Sequence, residues 1–393
     1  MIDYKIPEKL EDGGFLCITD ACNLRCTYCF VTQKPHYMKL ETAIDIIEFA
    51  WKRRNKNYMH FQFFGGEPLL LWNQIIVPLV NYVNDKGYNI RFGITTNCTM
   101  LTEDKLIFMK NHEIDLLTSF DGPKEIQDYH RPCADGSSSF DLVMKNIPKI
   151  LEYYPNSTFR ATMTPDTYHT LYECIQFARS IGYNNTFNMP TEYERPTPEQ
   201  VKLLEREICK YMIYYIDCYS REKLPDDFID YINFTKELKN SYKLKYHPES
   251  LIGSVTCGLG FGTFSYNYDG TILACQQCSS YDDSNKYHVG NIYTGLDIKK
   301  LDELRNSYIG KELSGEDREM CKTCLRRSIC EGGYCHSNAS AITNIVTKPY
   351  ARCIFDSLLL KYALIARDYL SKLKDSIYYK DVESKLVEES KNV

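Results

Sequence analysis

The chain has no apolar run long enough to cross a bilayer, which excludes a membrane-spanning helix. Its first ten residues, Met1 to Leu10, carry charges where an export signal needs an apolar centre, so the sequence points to the cytoplasm. Positive charge is not in excess. The 47 Lys and Arg stand against 52 Asp and Glu, and a net charge of −5 gives no reason to expect nucleic-acid or anionic-membrane binding. Histidines at paired metal-binding spacing, internal repeats and low-complexity tracts are all missing. The hydrophobic fraction of 44% and the charged fraction of 25% are ordinary for a globular protein, and 393 residues suffice for a large core and a second, smaller unit.

Cysteine is abundant: there are 17, unevenly placed. Outside an oxidising compartment, such numbers point to metal or clusters rather than disulfides. The stretch Cys22-Asn-Leu-Arg-Cys26-Thr-Tyr-Cys29 spaces three thiols too closely for disulfides in a compact fold, but suitably for a loop wrapped around a cluster. Three thiolates would leave one iron of a cubane open to a non-protein ligand. Cys257, Cys275 and Cys278 form a second group, and Cys321, Cys324, Cys330, Cys335 and Cys353 a third. The scattered Cys17, Cys98, Cys133, Cys174, Cys209 and Cys218 read as small buried apolar side chains.

Strand and helix signals alternate about six times over residues 15–189. Strands are expected at Phe15–Thr19, Tyr58–Phe64, Asn89–Thr95, Ile114–Ser119, Ser157–Thr164 and Asn184–Met189. Helices are expected at Leu40–Arg54, Trp72–Lys86, Thr102–Asn111, Phe140–Tyr153 (interrupted by Pro148) and Tyr168–Ile181. This alternation implies an α/β domain of parallel βα units, and the period alone fits a partial barrel or an open doubly wound sheet. Either way ligands belong at the carboxyl ends of the strands, where the Cys loop, Gly65-Gly66-Glu67-Pro68 and Asp121-Gly122-Pro123 fall. Residues 196–250 read as a helical connector, and 251–375 as a Cys-rich domain closed by a long helix after Cys353.

The Cys-x3-Cys-x2-Cys spacing, the aromatic Tyr28 and the later Gly-Gly-Glu-Pro turn resemble the radical S-adenosylmethionine (SAM) superfamily. The resemblance implies a partial (β/α)6 barrel over residues 12–195 and a 4Fe–4S cluster on Cys22, Cys26 and Cys29, the catalytic cysteines. SAM would fill the open iron, and its reductive cleavage would give a 5′-deoxyadenosyl radical that abstracts hydrogen from substrate. By the same resemblance Gly65, Gly66 and Glu67 would meet the SAM amino group. Tyr28, Asn97, Ser119 and Asp121 would line the cofactor, the last two at its ribose. Arg160, on a strand face with Thr162 and Thr164, is a candidate partner for the SAM carboxylate. Gln33, His36, Tyr37 and Met38 are candidates to line a substrate mouth.

The later cysteines, Cys257-x12-Gly270-x4-Cys275 and Cys321-x2-Cys324-x5-Cys330-x4-Cys335 followed by Cys353, resemble the SPASM extension of peptide-modifying relatives, which houses two auxiliary 4Fe–4S clusters. One residue is inserted between Cys330 and Cys335. Carried over, Cys321, Cys324, Cys330 and Cys353 would hold the outer cluster, and Cys257, Cys275 and Cys335 the inner one. Cys278 would complete the inner cluster, or that cluster would keep an open iron suited to a substrate thiolate. A pair of zinc sites is the plainer alternative.

The resemblance therefore implies a cytoplasmic enzyme with three 4Fe–4S clusters and SAM. It would act on a ribosomally made precursor peptide and install an oxidative crosslink, most plausibly a Cys thioether. Its reductant would be a flavodoxin or ferredoxin. The residues ahead of Phe15 are too few for a winged-helix leader-binding domain, so leader recognition would use the core surface, a strand edge or a separate protein. Gln276 stands where anaerobic sulfatase-maturing relatives carry an Asp base, which disfavours formylglycine formation without excluding it. A non-catalytic iron–sulfur carrier or sensor is the rival from another class.

Overall fold

The computed structural model describes residues 13–54, 56–188, 195–220, 232, 234–246, 264–276, 287–308, 324–326 and 350–372. The chain divides into two compact units, the first drawn from residues 1–160, 257–311 and 335–347, the second from the remainder.

In the first unit β1 (Gly13–Thr19), β2 (Met59–Gly65), β3 (Ile90–Thr96), β4 (Asp115–Ser119) and β5 (Thr158–Thr162) lie side by side in chain order, each parallel to the last. Parallel neighbours need crossovers of a dozen residues or more. Helices α1 (Leu40–Lys52), α2 (Val77–Asp85), α3 (Glu103–Asn111), α4 (Lys124–His130) and α5 (Ser139–Tyr153) supply them. Alternation along β2 shows which face the helices cover. Met59, Phe61 and Phe63 are fully buried, while His60, Gln62 and Phe64 are only partly covered.

The other edge of β1 is not free. β7 (Phe264–Tyr266) pairs parallel with it, and the sheet continues antiparallel through β8 (Thr271–Leu273), β9 (His288–Asn291) and β10 (Gly295–Leu296), with α9 (Ile298–Tyr308) after them. Residues after 251, expected to stand apart from the βα units, instead contribute β7, β8, β9 and β10 to the same sheet. Register requires it: Gly14, Phe15 and Leu16 face Phe264, Ser265 and Tyr266, and Cys17 Sγ lies 3.2 Å from Ser265 Oγ.

The second unit holds the end of β5, a 3-10 turn at Pro165–Thr170, α6 (Leu171–Ser180), β6 (Asn184–Asn188), α7 (Pro198–Ser220), α8 (Phe234–Tyr246) and α10 (Tyr350–Leu370). The helices read as a connector bury a core of their own: Leu204, Ile208, Tyr211 and Tyr215 of α7 with Phe234 and Leu238 of α8. Leu359, Leu360, Ala363 and Ala366 of α10 join them.

Local departures from expectation follow from proline. The helix over Ser139–Tyr153 runs unbroken through Pro148, which is exposed, so the carbonyl that loses its partner there is on the wet side of the helix. The helix expected at Trp72–Lys86 instead opens as a 3-10 turn at Pro68–Leu71 and a π turn at Trp72–Ile76 before α2 begins, with proline in its first turn. No helix among the described residues is long and apolar enough to cross a membrane.

Candidate active site

The Cys22–Cys29 loop leaves the carboxyl end of β1 and is laced down on two sides. On one side, Gly66 N donates to Thr19 O (2.7 Å) and Glu67 N to Ala21 O (2.9 Å), joining the turn after β2 to the entry of the loop. On the other, residues 130–134 run antiparallel to it. Arg25 N donates to Pro132 O (2.8 Å), Thr27 N to His130 O (2.9 Å) and Ala134 N to Asn23 O (2.9 Å), and Leu24 bridges Cys133. Side chains complete the lacing: Thr19 Oγ1 donates to His36 O (2.7 Å), Gln33 Nε2 to Leu24 O (2.8 Å), and His130 Nδ1 lies 2.9 Å from Thr27 Oγ1.

The Gly-Gly-Glu turn serves this lacing directly. Gly65 has a φ of +124°, and a Cβ there would stand 2.2 Å from Thr19 O; at Gly66 it would stand 2.1 Å from Ala21 O. Close approach is therefore required by the loop's own backbone. Glu67 follows the two glycines. It is 1% exposed and its carboxylate points inward, accepting from Leu69 N (3.0 Å), Thr96 Oγ1 (2.8 Å) and Asn97 N (2.9 Å). Burial raises its pKa against those bonds. The side chain clasps β2 to β3. Asn97 turns towards the loop, its Nδ2 donating to Asn23 Oδ1 (2.8 Å) and lying 3.8 Å from Cys22 Sγ.

Asp121 also faces the loop. Its carboxylate is buried and already engaged: Oδ2 accepts a short hydrogen bond from Tyr28 OH, and Oδ1 pairs with Arg131 Nη2 at 3.0 Å. Gln127 Oε1 holds its backbone N–H (2.9 Å). The Arg131 guanidinium lies 5.2 Å from the Tyr28 ring centroid. A carboxylate so engaged ties the loop's aromatic to an arginine. Arg131 went unread in the sequence because its partner lies ten residues away across a helix. The available signal was a charged residue one short helix beyond the Asp-Gly-Pro turn.

The donor set fits an iron–sulfur cluster. Burial pushes the thiols of Cys22 up to about 11 and Cys26 up to about 12, with Arg131 pulling Cys26 the other way. The charges of the three thiols also act on one another. No three metal-ligating side chains among the described residues gather as a single ion needs. A cubane instead takes each thiolate on a different iron, so a wrapped loop of spaced thiols matches it where a lone ion is not matched.

Residues 16–178 match the Radical SAM superfamily. The chain carries a radical SAM domain. Among curated relatives, a cysteine-type anaerobic sulfatase-maturating enzyme of Clostridium novyi is 26% identical over 334 residues, covering 81% of this chain and 85% of the relative. The radical SAM cyclopropyl synthase TigE of Paramaledivibacter caminithermalis is 29% identical over 39% of this chain and 35% of its own. Among solved structures, native anSMEcpe with bound AdoMet and Cp18Cys peptide matches with a TM-score of 0.69 at 18% identity, over 91% of this chain and 99% of that one. Streptococcus suis SuiB bound to precursor peptide SuiA matches with 0.56 at 17% identity, over 84% and 72%. These two structures share the α/β fold.

In the radical SAM domain the sheet face away from the helices is mixed, with Phe15 and Phe64 beside polar groups. Ser119 and Arg160 stand opposite each other at the carboxyl ends of β4 and β5. Near the amino ends Arg91 Nη2 pairs with Asp115 Oδ1 at 2.6 Å, and His60 Nε2 lies 3.7 Å from Asp115 Oδ2. Burial lowers the pKa of His60, leaving it neutral near pH 7. Gly93 makes room there, since a Cβ would stand 2.1 Å from Gln62 Oε1. Met38, a candidate for the substrate mouth, is buried instead, while His36 is stacked on Tyr268 at 4.4 Å and held by Asp20 at 3.0 Å.

Of the later cysteines, Cys257, Cys278, Cys321, Cys330 and Cys335 lie outside the described residues. Cys275 follows β8 in the first unit, its Sγ 3.3 Å from Gln276 Oε1. In the second unit Cys324 Sγ lies 3.9 Å from Ser357 Oγ, one helical turn beyond Cys353 on α10. Arg326 anchors that segment, 2.7 Å from Glu237 Oε1 and 4.0 Å from Asp356 Oδ2.

Two expectations follow. Gly66→Ala drives a methyl into Ala21 O, which cannot yield without parting the turn from the loop. It should cost about 1–3 kcal/mol in denaturant unfolding and lower the iron bound on reconstitution. In iron-free protein at pH 8, Cys26 stays protonated because its pKa is raised, whereas exposed Cys29 is accessible. Iodoacetamide followed by peptide mass spectrometry should show Cys29 alkylated at least ~10-fold faster than Cys26.

Proposed function

We propose that this radical SAM enzyme oxidatively modifies a side chain of a peptide or protein, most plausibly installing a Cys thioether in a ribosomally made precursor. The reading rests above all on the three-thiol loop pinned at the carboxyl end of a parallel sheet. Cys22, Cys26 and Cys29 would hold the 4Fe–4S cluster. When bound, the cluster and SAM supply a one-electron cleavage whose carbon radical takes a hydrogen atom from substrate.

The chain's own groups divide the remaining work. The Gly65-Gly66 turn and Asn97 hold the loop in shape. Ser119 and Arg160 offer a hydroxyl and a cation for the polar ends of SAM, and Arg160 suits its carboxylate. A peptide substrate is supported by two relatives of the same fold, one bound to a Cys-containing peptide and one to its precursor peptide.

Auxiliary clusters are part of the proposal. Cys324 and Cys353, assigned together to the outer cluster, both lie beside one turn of α10, and Arg326 holds that arrangement. Cys257, Cys275 and Cys335 would carry the inner cluster, with a flavodoxin or ferredoxin as electron donor. The leader would be recognised by the core surface, a strand edge or a separate protein.

A second reading, formylglycine formation, is favoured by the sulfatase-maturating relatives, which match over 85% of their length. Against it, Gln276 next to Cys275 is an amide and takes no proton at neutral pH.

The reduced, iron-reconstituted full chain should convert SAM to 5′-deoxyadenosine, and the Cys22→Ala/Cys26→Ala/Cys29→Ala variant should not. An electron carrier without catalysis would give none in either case. With a Cys-containing peptide encoded beside this gene, loss of two hydrogens with thiol alkylation blocked supports the thioether. Conversion of Cys to an aldehyde supports the second reading.

A further inference from the structure

The strip that laces the loop from below carries a cation placed against one particular cysteine. The antiparallel pairs are Arg25 with Pro132, Thr27 with His130, Leu24 with Cys133 and Asn23 with Ala134. That register sets Cys26 directly opposite Arg131. Residues opposite each other in an antiparallel pair project their side chains to the same face, with Cβ atoms about 5 Å apart. The Arg131 side chain is 7% exposed, its Nη2 is engaged by Asp121 at 3.0 Å, and its Nε is buried with no hydrogen-bond partner. A buried guanidinium with one N–H unspent costs free energy unless something nearby makes use of its charge.

We infer that Arg131 is the counter-charge of the Cys26 thiolate, and that it sets the reduction potential of the cluster that the Cys22–Cys29 loop holds. It is a positioning residue and not a reacting one. When one electron enters from an external reductant, no bond breaks and no proton moves, but negative charge rises at the cluster's sulfur ligands. A fixed positive charge under Cys26 favours that state and makes the potential less negative. Asp121 works in the opposite sense and keeps the guanidinium aimed. The Tyr28 ring lies 5.2 Å from the guanidinium, which is itself almost wholly buried, so little screening is available.

The inference rests on the proposal that this loop holds the cluster, and the test separates the two. The reconstituted full chain is titrated with dithionite, and the reduced cluster is followed by electron paramagnetic resonance. The signal of the Cys22→Ala/Cys26→Ala/Cys29→Ala variant is subtracted to isolate this cluster. If the triple variant keeps the whole signal and all the iron, the cluster assignment itself falls.

If the difference signal exists, Arg131→Gln should shift its midpoint to more negative values by about tenfold or more in the reduction equilibrium, ~59 mV for one electron. Arg131→Lys, which keeps the charge, should restore most of the shift. Asp121→Asn, which removes the opposing charge, should move the midpoint the other way. Should Arg131→Gln fail to load a cluster, Arg131→Lys and Asp121→Asn still decide the matter. A midpoint unmoved in Asp121→Asn, or equal in Arg131→Gln and wild type, overturns the inference and leaves Arg131 a purely structural tie.

Discussion

The Cys22–Cys29 loop has almost no regular structure of its own, so its shape depends on backbone hydrogen bonds lent by two other segments. The turn after β2 holds its entry, and residues 130–134 hold its middle. Each such bond contributes only about 1 kcal/mol net, but together they take a flexible stretch with three thiols and remove most of its freedom before any cluster arrives. Preorganisation of this kind is what lets side chains that would repel one another as thiolates be kept near one another. It also explains why glycines, and not larger residues, occupy Gly65 and Gly66: the partner they crowd is the loop's own carbonyl oxygens.

The same constraint changes the meaning of two acidic residues. Glu67 and Asp121 are both buried and both satisfied from within. One joins β2 to β3 beneath the loop; the other joins Tyr28 to Arg131. A buried carboxylate is costly unless well partnered, and here the partners come from inside the protein. Ser119 and Arg160, by contrast, stay partly open on the uncovered sheet face.

Several elements were legible from residue order. The βα alternation placed each of the six strands to within a few residues, because period-2 burial and apolar runs are local signals. The match over residues 16–178 agrees with the family reading taken from three cysteines and a turn. Other features were not legible. Pro148 looks like a break but sits on the exposed side of α5, where a missing N–H costs little. The segment after residue 251 looks separate, yet β7 pairs with β1, a partner some 250 residues earlier. Pairing at that distance leaves no local pattern.

By itself the sequence determined the chemistry on offer: closely spaced soft thiolates, a turn able to approach backbone closely, and a parallel α/β scaffold that puts both at strand ends. Those depend on residue type and spacing, which the chain carries directly. Only the tertiary structure decided which charges face the loop and which are spent holding it. The opposition of Cys26 to Arg131, and the inward turn of Glu67 and Asp121, come from the register between segments about a hundred residues apart or less. Electrostatic energy depends on such distances and on burial, and neither is written in the order of residues.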